Sequence, residues 1–204
     1  MVEAYQRRSA LAHFGLNALA NQTASGTAGI VAGESAHRAI INIRGNAADP
    51  AFAAAVKSAT GVDLPAAANT VSSAGAVRII WLGPDEWWVV GADAERAGLV
   101  ERLRSAFAGQ HTNVTDVSES RTVITLSGPA VRELLKRGIS LDLHPRVFRA
   151  GQCAQTSFSK VNVVLHQVDD APAYDVYVLK SFADYLWRWI GLIAEDFGLA
   201  VRAE

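Results

Sequence analysis

Arg38-Ala39-Ile40-Ile41-Asn42-Ile43-Arg44-Gly45 and Arg121-Thr122-Val123-Ile124-Thr125-Leu126-Ser127-Gly128 share one plan. Each is an arginine, a run rich in β-branched residues, and a glycine, and the glycines lie 128 − 45 = 83 residues apart. Runs of this kind, bounded by glycine, read as strands. The period is too long for a solenoid unit and fits a small βα unit used twice.

The segments after the two strands also match. Asp49-Pro50 opens a helix, with Asp as N-cap and Pro at the first helical position. Phe52 and Val56 share its inner face, and Gly61 ends it. Gly128-Pro129 opens the counterpart, with Val131, Leu134 and Leu135 inward and Gly138 at its end. A hairpin comes next in each half, residues 77–82 with 86–90 around Gly83-Pro84-Asp85, and residues 161–168 with 174–179 around Asp170-Ala171-Pro172. The first half then gives a helix over 93–107, with Leu99, Val100, Leu103 and Phe107 inward. Its mate begins at Ser181, with Asp184 three residues on as a capping box. Phe182, Tyr185, Leu186, Trp189, Ile190 and Ile193 form its apolar stripe, and Gly198 closes it. Residues 112–117 and 199–202 end the halves as short strands. The pattern is β-α-β-β-α-β twice, the ferredoxin-like arrangement, and it predicts an α+β protein with antiparallel sheets and helices on one face of each. The expected organisation is an irregular N-terminal arm over 1–36, a first half over 37–117 and a second half over 118–204.

The chain has 204 residues, half of them hydrophobic, enough for a substantial core. Its formal net charge is −1 and no Lys/Arg-rich run occurs, which argues against nucleic-acid binding. A single cysteine cannot form an intramolecular disulfide, so nothing points to an oxidising compartment. Gly151-Gln152-Cys153-Ala154-Gln155 carries no nucleophile signature, and Cys153 is expected as a small buried apolar residue. No apolar run reaches the roughly 18 residues of a membrane helix, so no membrane association is expected. Arg7-Arg8 before an apolar stretch, with Ala18-Leu19-Ala20 after it, has the outline of an export signal. Glu3, His13 and Asn17 break that outline, and a cytoplasmic chain is expected.

Few residues point to chemistry. None of the five histidines sits at metal-ligand spacing, and His166 alternates within a strand as a hydrogen-bonded structural histidine. Gly26-Thr27-Ala28-Gly29-Ile30-Val31-Ala32-Gly33 has the wrong spacing for a dinucleotide loop and no clear strand before it. Walker, G-x-S-x-G and HExxH motifs are absent. Asp85-Glu86 and Asp169-Asp170 flank turns, where carboxylates are commonly solvated. No catalytic, cofactor-binding or metal-ligating residue is nominated. Tryptophans remain. Trp87 and Trp88 alternate to opposite faces of one strand, and Trp187 lies off the helix stripe of Trp189. Exposed tryptophan is enriched at interfaces, so Trp87, Trp88 and Trp187 are the candidate partner-facing residues. The alternative is that they are core.

Two stretches carry a family resemblance. Residues 114–135, through Asp116-Val117-Ser118 and Gly128-Pro129-Ala130, resemble the D-x-S, strand, G-P-x-A, helix opening of glycine-cleavage T-proteins. Ile79-Ile80-Trp81-Leu82-Gly83-Pro84-Asp85-Glu86-Trp87-Trp88-Val89-Val90 resembles that fold's strand-turn-strand segment. More narrowly, the arm Arg8-Ser9-Ala10-Leu11-Ala12-His13, the Leu82 to Trp87 turn, the Ser118-Glu119-Ser120-Arg121 junction and the overall length are similar to the gamma subunits of heterotetrameric sarcosine oxidases. That resemblance implies a non-catalytic subunit with a folate-binding fold, assembled with alpha, beta and delta subunits. The complex would oxidise sarcosine to glycine with hydrogen peroxide, forming methylenetetrahydrofolate when folate is present. It implies FAD, FMN, NAD, tetrahydrofolate and zinc on the other subunits. Folate-using relatives place an Asp just before the second hairpin. Here that stretch reads Phe158-Ser159-Lys160-Val161-Asn162, and the first half offers Ala74-Gly75-Ala76-Val77-Arg78, neither with an acid. The alternatives are a free-standing folate-dependent aminomethyltransferase-like enzyme and an independent folate-binding or iron–sulfur-maturation protein, whose K-G-C-Y-x-G-Q-E type motif Gly151-Gln152-Cys153-Ala154 matches poorly.

Overall fold

Every strand and helix expected from the repeat is present in the computed structural model, which describes residues 7–22 and 28–203. In chain order the elements are α1 (Leu16–Gln22), β1 (Ile30–Ser35), β2 (Ala39–Arg44), α2 (Pro50–Thr60), β3 (Val71–Ala74), β4 (Val77–Gly83), β5 (Glu86–Gly91), α3 (Arg96–Ala106), β6 (Asn113–Asp116), β7 (Arg121–Ser127), α4 (Val131–Lys136), β8 (Cys153–Phe158), β9 (Val161–Asp169), β10 (Ala173–Leu179), α5 (Lys180–Ala194) and β11 (Leu199–Arg202). Three strands were not expected: β1, β3 and β8. β3 and β8 are mates, each a short edge strand ahead of its hairpin, so the unit in both halves is β-α-β-β-β-α-β.

The first sheet runs β3-β4-β5-β2-β6 and the second β8-β9-β10-β7-β1-β11. The orders are the same apart from β1, which enters the second sheet between β7 and β11, antiparallel to the first and parallel to the second. Ile30–Ser35 therefore belongs to a sheet, although its sequence reads as part of an irregular arm. Small residues are the reason: Ala32 and Gly33 lack side chains that declare a pleat, and Thr125 and Arg202 lie so close that a Cβ at Gly33 would crowd them. The same strand removes the dinucleotide-loop reading of residues 28–33; Gly26 and Thr27 lie outside the described residues.

A pseudo-twofold relates the halves. Thr70 bridges Gln152, and two further bonds flank them: Val71 N–H donates to Gly151 O (2.8 Å) and Cys153 N–H to Asn69 O (2.9 Å). Shifting residues 69–71 by 82 gives 151–153, so these bonds are each other's mates. Asn69 and Gly151 share a positive φ, 59° and 78°.

Four layers result. Ile41, Ile43, Phe52, Val56, Trp87 and Leu103 form the core under α2 and α3. Ile124, Leu135, Val163, Val176, Leu186 and Ile190 form the one under α4 and α5. Ile40, Ile80, Trp88, Val123, Val164 and Tyr177 fill the space between the sheets. The two repeat glycines serve different close approaches. A Cβ at Gly45 would meet the Phe52 ring at 2.5 Å, and one at Gly128 (φ +111°) would meet Gly29 O at 2.5 Å.

Caps partly match. Asp49 accepts from Ala51 N–H ahead of Pro50, and Gly61 ends α2 in the left-handed region. The capping box expected at Ser181 does not form: α5 begins at Lys180, and Asp184 instead holds His13 (2.6 Å) and Arg188 (2.7 Å).

Candidate functional site

The tryptophans nominated as partner-facing are all core. Trp87 is 0 % exposed, Trp88 4 % and Trp187 6 %. Strand alternation does send Trp87 and Trp88 to opposite faces, but both faces of β5 are covered, one by helices and one by the other sheet. Trp187 is covered by the N-terminal arm, whose Phe14 ring lies 6.3 Å away, and no sequence signal marks this arm as packing there. The inner face of α5 is therefore rotated from the expected stripe: Ala183, Leu186, Trp187, Ile190 and Ala194 are buried. Phe182, Tyr185 and Leu192 stand exposed, 44 %, 37 % and 63 %, with partly buried Trp189 between them. At spacings of three, four and three these four lie along one stripe. Tyr185 is tied there by a hydroxyl contact to Ser159 (2.8 Å), and Trp189 by an edge contact to Phe158 (5.1 Å).

The stretches that match the acid-bearing segment of folate-using relatives are the tips of equivalent hairpins, Gly75-Ala76 between β3 and β4 and Ser159-Lys160 between β8 and β9. Lys160 and Asn162 are exposed. Among the described residues no group of three His, Cys, Asp or Glu converges on a metal-sized space, and no helix is long and apolar enough to cross a membrane.

Charge concentrates in two places. The Ser118–Ser120 turn joins the halves, where Glu119 is held by Arg7 (2.8 Å), Arg96 (2.6 Å) and Lys180 (2.9 Å). Arg7 also binds Asp93 (2.6 Å) and Arg96 binds Asp116 (2.6 Å), so the network spans arm, first half and second half. Lys180 foremost, with Arg96 and Arg7, brings Glu119 down to a pKa of about 2 against the burial that opposes it. Beside it, Ser118 Oγ accepts from Ile40 N–H (2.9 Å) and donates to Asp116 (2.6 Å).

The second concentration lies between the sheets. Arg78 on β4 reaches across to Asp175 on β10 (2.6 Å). Burial raises the Asp175 pKa while Arg78 and Arg38 oppose the rise. His166, beside them on β9, is buried with its Nδ1 unpartnered among the described residues, so the expected structural histidine is found without the hydrogen bond. Burial and the Arg78 charge hold it neutral, its pKa lowered to about 4. Arg121 on β7 reaches across the other way and stacks over Trp88, 4.5 Å from the ring centroid. Cys153 is fully buried, and burial pushes its thiol up to about 12, as its bland sequence context implied. None of these groups forms a nucleophile–base pair.

Comparison with known proteins gives one consistent result. The sequence profile of the sarcosine oxidase, gamma subunit family matches residues 44–195. The sarcosine oxidase subunit gamma of Corynebacterium sp. (strain U-96) is 32% identical over 148 residues, 72% of this chain and 71% of that one. A chain of the heterotetrameric sarcosine oxidase from Corynebacterium sp. U-96 has a TM-score of 0.85 at 28% identity, covering 97% of this chain and 98% of that chain. The glycine cleavage system aminomethyltransferase T from Bartonella henselae shares the fold, with a TM-score of 0.61 at 13% identity over 86% of this chain and 48% of that one.

Proposed function

The chain belongs to the sarcosine oxidase gamma subunit family, and from that premise we propose that it is a non-catalytic subunit of a heterotetrameric sarcosine oxidase. The observation that carries this is the near-complete mutual cover, at a TM-score of 0.85, with one chain of such an enzyme. Its partners in this reading are alpha, beta and delta subunits in the cytoplasm. They hold the FAD, FMN, NAD, tetrahydrofolate and zinc of a complex that demethylates sarcosine to glycine, hydrogen peroxide and methylenetetrahydrofolate. A structural role is supported by the hairpin tips, where Lys160 and Gly75-Ala76 stand and an amine-binding carboxylate is needed. A cation cannot orient an ammonium group.

A subunit that contributes by contact needs a surface to make it. The exposed apolar stripe of α5, Phe182, Tyr185 and Leu192, is the surface this reading assigns to a larger subunit of the oxidase. The test is purification of the tagged chain from its native host. Co-purifying subunits with flavin absorbance and sarcosine-dependent peroxide release are expected, whereas the chain expressed alone is expected to be colourless and inactive. Recovery of the chain by itself from the host, or stoichiometric flavin on the isolated chain, overturns the proposal.

A further inference from the structure

One arginine between the sheets makes no ion pair among the described residues, and the carboxylate whose charge reaches its mate has no counterpart on its side. Arg121 is half-buried, and its Nε is closed off from solvent without a hydrogen-bond partner among the described residues. Glu86 is the acid whose charge reaches it, and Glu86 Oε1 is already taken by the Asn42 amide (2.6 Å). Stacking on Trp88 offsets part of the desolvation of a guanidinium. It leaves the in-plane fork of N–H donors, whose geometry matches a carboxylate, unfilled.

The pseudo-twofold identifies what is missing. The repeat maps Arg38 onto Arg121, since 38 + 83 = 121. Ile43 pairs with Trp87 and Leu126 with Tyr174, so Trp88 maps onto Asp175 (88 + 87 = 175). Arg78 pairs with Val90 and Val164 with Tyr177, so Arg78 maps onto Val164. On one side of the layer, then, Asp175 sits in the field of Arg38 and in an ion pair with Arg78. On the other side Trp88 stands in the carboxylate's place and Val164 in that of the second arginine. A cavity of about 310 Å3 opens there, lined by Arg121, Gln155, Ser157, Asn162 and Val164. Its volume is at the small end for a ligand site. Gln155 is occupied, its amide donating to Leu82 O (2.8 Å), whereas the exposed Asn162 and Ser157 contact each other at 3.3 Å and can turn to a ligand.

We propose that this cavity is a carboxylate-binding site in which Arg121 receives one carboxylate, completing on this side of the layer the ion pairing that Asp175 completes on the other. The carboxylate belongs to a short-chain acid free in solution or to an acidic side chain of another subunit. The rim of hydroxyl and amide serves the rest of the group, and Trp88 holds the guanidinium plane in position.

The full chain is titrated with acetate, succinate and glutarate at constant ionic strength set by chloride, read by calorimetry and by tryptophan emission. Saturable one-to-one binding of at least one of them, with a change in emission from Trp88, is expected. Arg121→Gln is expected to weaken it roughly ten- to a hundredfold, the worth of a charge-assisted pair. Arg121→Gln could itself disturb packing, so Asn162→Asp provides a second variant at an exposed position. It places a carboxylate at the rim and is expected to abolish binding of the added acid while the melting temperature stays within about a degree or two of wild type. Repeating the titration on the assembled complex separates the sources: retained binding means a free acid, and binding lost on assembly means that a subunit supplies the carboxylate. Absence of saturable binding to the isolated chain, or binding that survives both substitutions, overturns the proposal.

Discussion

Replacing Trp87 with alanine separates a core residue from a contact residue, the two roles its sequence context allows. The indole is fully buried, 5.6 Å from the Phe52 ring, which itself stacks on Phe107 at 5.1 Å. Its N–H donates to Pro65 O at 2.9 Å. Truncating a buried tryptophan costs about 3–5 kcal/mol, and stranding the Pro65 carbonyl adds about 1 kcal/mol. For a chain of this size each kcal/mol moves the melting temperature by about 2–4 °C, so a fall of about 10–20 °C is expected. Trp87→Phe, which keeps most of the ring volume and loses the hydrogen bond, is expected to cost about 1–3 kcal/mol. The assay is thermal and urea unfolding of the isolated chain, with co-purification of partner subunits measured in parallel. A Trp87→Ala chain as stable as wild type that nevertheless fails to assemble would refute the reasoning, because a side chain closed inside its own fold has no route to a partner except through the loss of that fold.

Glu119→Gln is expected to cost about 1 kcal/mol at neutral pH, small because the network is partly solvated. The folded carboxylate titrates at about 2 against an ordinary 4.5, so its contribution is present above about pH 4.5 and fades as acid approaches pH 2. Urea midpoints of wild type and variant should therefore converge on acidification, and a gap that persists unchanged contradicts the ion-pair account. Cys153, with its thiol against the Trp81 and Thr70 carbonyls and its pKa about 12, is expected to ignore a disulfide reagent at about pH 8 until urea unfolds the chain; rapid labelling of the native protein contradicts that. Leu192→Asp, on the exposed stripe of α5, is expected to reduce co-purification with the large subunits at least tenfold while leaving the isolated chain's stability within about 0.5 kcal/mol of wild type. Undiminished assembly removes α5 from the contact surface.

The repeat was legible because it is written in strong local signals. Asp49-Pro50 and Gly61 punctuate α2, and the glycines and prolines of the hairpin turns mark strand ends whichever layer the strand enters. Tertiary context set the rest. β3 is four residues, Val71–Ala74, with only one strongly strand-forming side chain, and it exists because β4 offers it an edge. β1 is legible only in the slot between β7 and β11. The rotated face of α5 has the same origin. Apolar residues cover more than half of that helix's circumference, so periodicity alone could not fix which arc faces the sheet; the arm carrying Phe14 decides it by covering Trp187. The charge between the sheets was invisible for a different reason: Arg121 and Trp88 are 33 residues apart (121 − 88) and meet only because the halves stack face to face.

Beyond the layer between the sheets, the departures from pseudo-symmetry gather in the second half. β1 widens the second sheet, and Gly128 needs its glycine because residue 29 passes over it. The arm leading to β1 crosses α5 and is fastened by His13 to Asp184 and by Arg7 to Asp93 and Glu119. Yet the arm covers one flank of α5 and leaves the other bare. Had the arc of Phe182, Tyr185 and Leu192 served only internal packing, its mate α3 would be expected to match it; α3 instead presents Glu101, Arg102, Arg104 and Ser105 outward. Polar residues at the outward positions of one helix and large apolar residues at those of its mate are a difference that folding of the isolated unit does not require. The contact proposed for this stripe would supply the requirement, since water removed from an apolar stripe is the main favourable term in association. The second half is accordingly a side on which a partner is expected.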